Sequence, residues 1–155
     1  MTVSLVLGQA LNGFQLGILL FLMAAGLTLV FGIMSFVNLA HGSLYMFGAY
    51  FAATIATHSG SFVLAIVLTL VLIFLLGLLL DKGGLSILHR RSHLDQVLAT
   101  FGLILFSNEL VRIIWGNAPI YMDAPDYLSG AVNLFGLNYP AYRFAIIVAG
   151  LFIAI

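Results

Sequence analysis

Long apolar runs separated by short polar stretches set the elements of this chain. The first run, about 8–34, is most apolar over LGILLFLMAAGLTLVFGIM, and Gln9, Asn12 and Gln15 make its start amphipathic. Gly13 and Gly17 form a GxxxG pair, either a close-packing face or ordinary membrane glycine usage. The second run, about 36–57, opens on the polar positions Asn38, His41, Gly42 and Ser43. It then sets Ala49, Ala52, Ala53 and Ala56 on one helical face, a stripe suited to burial between helices. The third, 62–80, is apolar all round except at Thr69 and predicts a peripheral, lipid-facing helix. At ~1.5 Å per residue it covers roughly 28 Å, about one hydrocarbon core. The fourth, 97–115, carries Glu109 and Arg112 near one end; the fifth starts near Ala141 and reaches Ile155, too short to span.

Two polar stretches punctuate these runs. The 81–96 stretch predicts a loop, with a turn signal at Gly83-Gly84 and with Lys82, Arg90, Arg91, His89 and His93. The 116–140 stretch holds Pro119, Pro125 and Pro140, Asp123 and Asp126, and no Lys or Arg. Within it VNLFGLNY suggests a short hairpin around Gly136. Lys and Arg accumulate on the cytoplasmic side, so the 81–96 loop is expected inside and the 116–140 loop outside.

Composition sharpens this pattern. The chain is 63% hydrophobic and 6% charged, with formal net charge +0 and mean hydropathy +1.22. A soluble domain carries about a quarter charged residues. No Asp, Glu, Lys or Arg occurs from Met1 to Leu80. A cytosolic globular enzyme, a disordered tail and a basic nucleic-acid binder are excluded. The expected fold is all-α: a polytopic integral membrane bundle in one transmembrane domain over 1–155. It holds about four complete transmembrane helices and the start of a fifth, with a broken helix at Asn38–Ser43. The first run lacks a basic flank and a cleavage site, so it is expected to stay in the mature protein. The final run stops inside a helix, which suggests a piece of a longer chain. There is no cysteine, so disulfides and thiolate metal sites are out of reach.

The stretch Asn38-Leu39-Ala40-His41-Gly42-Ser43 carries the most chemistry. Polar groups amid apolar sequence face a cavity or a protein neighbour rather than acyl chains. Two readings stand. One is an interhelical turn at the membrane surface, with Asn38 and His41 bonding backbone groups. The other is a discontinuous helix lining a solute path, with Asn38 or Ser43 as cap. His41 has no carboxylate near it in sequence, which favours a hydrogen-bonding role over a proton relay. Glu109 and Arg112, at i and i+3, form an expected structural ion pair at the outer interface, with Trp115 as anchor. Arg90 and Arg91 serve first as topogenic charges. No metal-ligand spacing, phosphate loop, GxSxG, HExxH or carboxylate pair occurs, so no catalytic residue, metal or cofactor is assigned to this chain.

Two blocks, GLTLVFGIMSFVNLAHGSLYMFGAY (Gly26–Tyr50) and RRSHLDQVLATFGLILFSNELVRIIWG (Arg90–Gly116), carry a family likeness. Pro140-Ala141-Tyr142-Arg143 fits the entry to the following helix. The chain resembles the N-terminal half of permease subunits of branched-chain amino acid ABC importers, a family shared with urea and amide importers. The resemblance implies a bacterial inner-membrane protein that works with a second permease subunit, two cytoplasmic ATPase subunits and a periplasmic solute-binding protein. It marks Asn38, His41 and Gly42 as pathway-associated, and Gln96, Thr100 and Gly102 as matching family positions. Two departures stand out. SILHRRSHL has no proline where many members place one after an arginine, and the family's ATPase-contacting segment would lie beyond 141–155. Two alternatives are a passive channel for a small neutral solute, from the faint likeness of Asn38-Leu39-Ala40 to Asn-Pro-Ala turns, and a non-functional or scaffolding permease fragment.

Overall fold

A computed structural model describes residues 3–134 and 137–154. They pack as two compact units, Leu27–Met122 and Met1–Gly26 with Asp123–Ile155, where the sequence reads as a single domain. Helix α1, Val3–Met34, contributes to both and starts earlier than its apolar run.

In the first unit the chain leaves α1 at Ser35, which takes a left-handed φ of 49°. A non-glycine residue there costs about 1 kcal/mol, so the helix stops at a defined point. Helix α2 follows at His41–Ser59. It does not begin at 36 as expected, because residues 35–40 are not helical. Gly60 closes α2 in the left-handed conformation, its N–H donating to the Ala56 carbonyl. The Ser61 hydroxyl accepts from the Leu64 N–H at 3.3 Å and caps helix α3, Phe62–Leu80, within the expected bounds. With so short a connection, α2 and α3 lie against each other, Gly48 meeting Ile73. Ala53 of the alanine stripe is buried while Ala49 is exposed, so the stripe is only partly covered.

The polar loop expected over 81–96 is mostly helical. A wide turn, Asp81–Leu85, bends at Gly84 and runs into α4, Ser86–Leu88. Helix α5 then spans His93–Trp115, four residues ahead of its apolar run. Its start is fixed by Ser92, whose hydroxyl accepts from the Asp95 N–H at 3.2 Å, and by the acidic Asp95 in the first turn. The irregular link is therefore 89–92. Three helical stretches among the described residues are long and apolar enough to cross a membrane: Leu5–Ile33, Phe62–Leu88 and His93–Trp115. The expected four spans become three by that measure. His41, Ser43, Thr54, Thr57 and His58 dilute the apolar character of α2.

In the second unit a 3-10 turn, Asp126–Leu128, precedes strands β1, Ala131–Leu134, and β2, Leu137–Pro140. The strands pair antiparallel with Val132 opposite Tyr139, as the hairpin signal suggests; its tip at Gly136 lies outside the described residues. Pro140 leads directly into α6, Ala141–Ala154. Buried Tyr139, Ile18 and Ile147 form the core. The Tyr139 hydroxyl donates to Asn12 Oδ1 at 3.2 Å, and Arg143 Nη1 donates to the same oxygen at 2.6 Å. A Cβ at Gly150 would strike Ile18, so α1 and α6 meet there without room for a side chain. Gly13 and Gly17 have open space above them and make no such approach.

Candidate functional site

Breaking a helix in an apolar setting strands backbone donors, and each must find a new partner. Between α1 and α2 the partners come from α5. The Val37 N–H donates to Gln96 Oε1 at 3.0 Å, and the Leu39 N–H donates to Thr100 Oγ1 at 3.3 Å. The Ala40 N–H donates to Asn38 Oδ1 at 3.1 Å, an Asx turn that folds the break on itself. Gln96 and Thr100 stand one turn apart and so share a face of α5. Gln96 is 2% exposed and Thr100 0%.

Gln96 reaches in two directions. Its Nε2 donates to the Leu88 carbonyl at 3.2 Å and the Arg91 carbonyl at 3.3 Å. One amide therefore ties the break to the 89–92 link through both of its ends. The Thr100 hydroxyl directs its proton to the Gln96 carbonyl at 2.7 Å, which leaves its lone pairs for Leu39. Beneath them Phe36, 2% exposed, stacks on His89 with ring centroids 4.6 Å apart and an interplanar angle of 24°. Beside the break lies a cavity of about 180 Å³.

The expected site residues divide accordingly. Asn38, Gln96 and Thr100 come together at the break. His41, half-buried, opens α2; Gly42 is exposed and Ser43 buried. Neither Asn38 nor Ser43 caps α2, contrary to expectation. Ala40 holds the cap position without a side-chain bond, and the chain enters the helix through backbone turns from His41 N–H to Asn38 O (3.3 Å) and Ser43 N–H to Ala40 O (2.9 Å). Gly102 is exposed and stands apart from the clamp, its two-residue offset from Thr100 turning it to the far side of α5.

The other end of α5 is built differently. Arg112 Nη1 lies 2.9 Å from Glu109 Oε1, with side chains 57% and 64% exposed, and Arg112 Nε donates to Asn117 Oδ1. Trp115 Nε1 donates to Thr54 Oγ1 at 2.8 Å, and its ring lies against Tyr50 and Phe51 of α2. Sequence reasoning gave Gln96 and Thr100 no structural role; their spacing on an apolar helix was the available signal. Among the described residues no three His, Asp or Glu side chains cluster as a metal site would need.

The family described as branched-chain amino acid transport system / permease component matches residues 9–155. The chain belongs to this family. Over 46 residues it is 46% identical to the high-affinity branched-chain amino acid transport system permease protein BraD of Pseudomonas aeruginosa, covering 30% of this chain and 15% of that one. Over 44 residues it is 48% identical to the permease protein LivH of Salmonella typhimurium and of Escherichia coli, covering 28% of this chain and 14% of each relative. The matched stretch is thus a small part of the relatives' length. No solved structure matches. Members of this permease family are membrane subunits of transport systems, and the long apolar helices of this chain make it a multi-pass membrane protein.

Proposed function

We propose that the chain is a transmembrane permease subunit of an ATP-binding-cassette importer and forms part of the path for branched-chain amino acids or related small amides. The observation that carries this reading is the helix break, held apart by buried neutral partners within a stretch that lacks any ionised side chain. A break inside an apolar run is tolerated where it lines protein or a solute path rather than lipid. Asn38, His41, Gly42 and Ser43 then face the path, while Gln96 and Thr100 fix their geometry. In this reading 1–155 is one permease domain, α2 is a fourth span and α6 opens a fifth. The link around 81–96 lies in the cytoplasm and the 116–140 segment in the periplasm of a bacterial inner membrane.

The chain needs no cofactor of its own in this scheme. Two ATPase subunits on the cytoplasmic side shift the population of inward- and outward-open states by binding them unequally, and a second permease subunit completes the path. A periplasmic binding protein delivers solute to the outer segment. In vesicles carrying the assembled transporter, Asn38→Leu and His41→Leu each lower ATP-driven leucine uptake by about tenfold or more, the loss expected from one polar path contact. Unchanged uptake in both variants removes the path assignment. Flux that persists without ATP and binding protein makes the chain a passive channel instead.

A further inference from the structure

Two open clefts meet on the connector between the spans Phe62–Leu88 and His93–Trp115. The first, of about 520 Å³, is lined by Ser86, Ile87, Arg90 and Arg91, with no acidic side chain. The second, of about 590 Å³, lies between α4 and α5; Leu88, Leu98 and Ala99 line it, and Asp95 adds one carboxylate. Ile87 and Arg91 line both, so a charged mouth opens onto an apolar floor.

The four arginines of the chain are not alike. Arg112 is held by Glu109 and Asn117, and Arg143 by Asn12 and Tyr142. Arg90 and Arg91 are exposed, and neither guanidinium has an ion pair or a hydrogen bond among the described residues. Two adjacent free guanidinium groups in one cleft form an anion site, since their forked donors match the paired oxygens of a phosphate.

Membrane depth selects the anion. Only residues 89–92 separate two apolar helices, each long enough to cross a hydrocarbon core. Arg90 and Arg91 are therefore held at the edge of that core, in the layer where lipid phosphates lie. Leu98 and Ala99, more than a turn into α5, stand deeper, alongside acyl chains. Two arginines against Asp95 leave one net positive charge across the joined clefts. That complements a lipid with a single phosphate and an uncharged head, whereas a zwitterionic lipid would bring an ammonium up to the guanidinium groups.

We propose that the joined clefts bind one anionic phospholipid with a polyol head, its phosphate taken by Arg90 and Arg91 beside the Ser86 hydroxyl and one acyl chain laid over Ile87, Leu98 and Ala99. The site needs the two spans alone and stands apart from the importer reading.

The test is native mass spectrometry of the intact protein, purified with the subunits that accompany it and titrated in detergent with dioleoylphosphatidylglycerol. One saturable adduct per copy of this chain is expected to depend on the clefts. The double variant Arg90→Gln, Arg91→Gln removes both guanidinium groups and weakens that adduct about tenfold or more. Ala99→Trp, which fills the apolar floor and leaves both charges in place, weakens it about tenfold as well. Lys82→Gln removes a cation of the same connector that lines neither cleft and leaves the adduct unchanged. Dioleoylphosphatidylcholine at equal concentration does not displace the bound lipid, and neither does glycerophosphoglycerol, which has the same head without acyl chains. Wild-type affinity in the double variant or in Ala99→Trp overturns the joined site, and an equal loss in Lys82→Gln overturns it in favour of diffuse attraction. Displacement by phosphatidylcholine overturns the charge complement, and displacement by glycerophosphoglycerol makes the occupant a soluble phosphodiester. Ala99→Trp and the two competitors decide the case if the double variant fails to insert.

Discussion

Helix α5 is fastened at both ends, and the two fastenings differ in kind. Near Ser92 the ties are neutral and part-buried: the buried side chains of Gln96 and Thr100 accept the backbone donors of the break. Near Gly116 the conspicuous feature is an ion pair, Glu109 with Arg112, more than half exposed on both sides. Charge draws attention in a sequence with so few ionised residues. An exposed pair is screened and contributes little, while a buried backbone N–H without an acceptor costs about 1–3 kcal/mol. The neutral ties at the break therefore contribute more to stability than the ion pair, although they look less eventful on paper.

The contrast is sharpest at Gln96. Gln96→Leu leaves the Val37 N–H and the Leu88 and Arg91 carbonyls without these partners, a loss of about 3 kcal/mol. Amide exchange at Val37 then speeds up by about a hundredfold, read by hydrogen–deuterium exchange in nanodiscs; unchanged protection would show that the break does not depend on α5. Thr100→Val keeps the shape and deletes one acceptor, so about 1–2 kcal/mol is lost and the faster exchange is confined to Leu39. Should Val37 exchange rise equally, the two ties act as one unit. Glu109→Gln removes only the exposed pair and changes unfolding in a detergent titration by a few tenths of a kcal/mol at most. A drop as large as that of Gln96→Leu would reverse the comparison.

The elements that were legible in sequence are those set by local pattern. The bounds of α3 follow from an unbroken apolar run between Ser61 and Asp81. Polar residues in such a run are rare, so the interruption is visible in sequence, but it reads as Asn38–Ser43 whereas the structure has it at 35–40, with His41, Gly42 and Ser43 already in α2. The 81–96 stretch reads as a loop because its charges and paired glycines outweigh Leu85, Ile87 and Leu88, yet the chain stays helical past Lys82. The clamp lay beyond local reasoning altogether. Val37 and Gln96 are separated by 59 positions and Leu39 and Thr100 by 61, and periodicity has no access to pairings at that range. The family likeness marked Gln96 and Thr100 without a reason; their hydrogen bonds supply one. It marked Gly102 equally, and nothing in the structure explains that position.

Asn38, Gln96 and Thr100 fasten the break without a single ionisable group. Carrying one elementary charge through 100 mV involves about 2.3 kcal/mol of electrical work, and carrying none involves no such work. The membrane voltage of an energised cell thus exerts no direct pull on these three side chains, and their own hydrogen bonds are neither screened by brine nor protonated away by acid. What rearranges these ties then acts by contact, through the helices attached to the break or a solute seated against it.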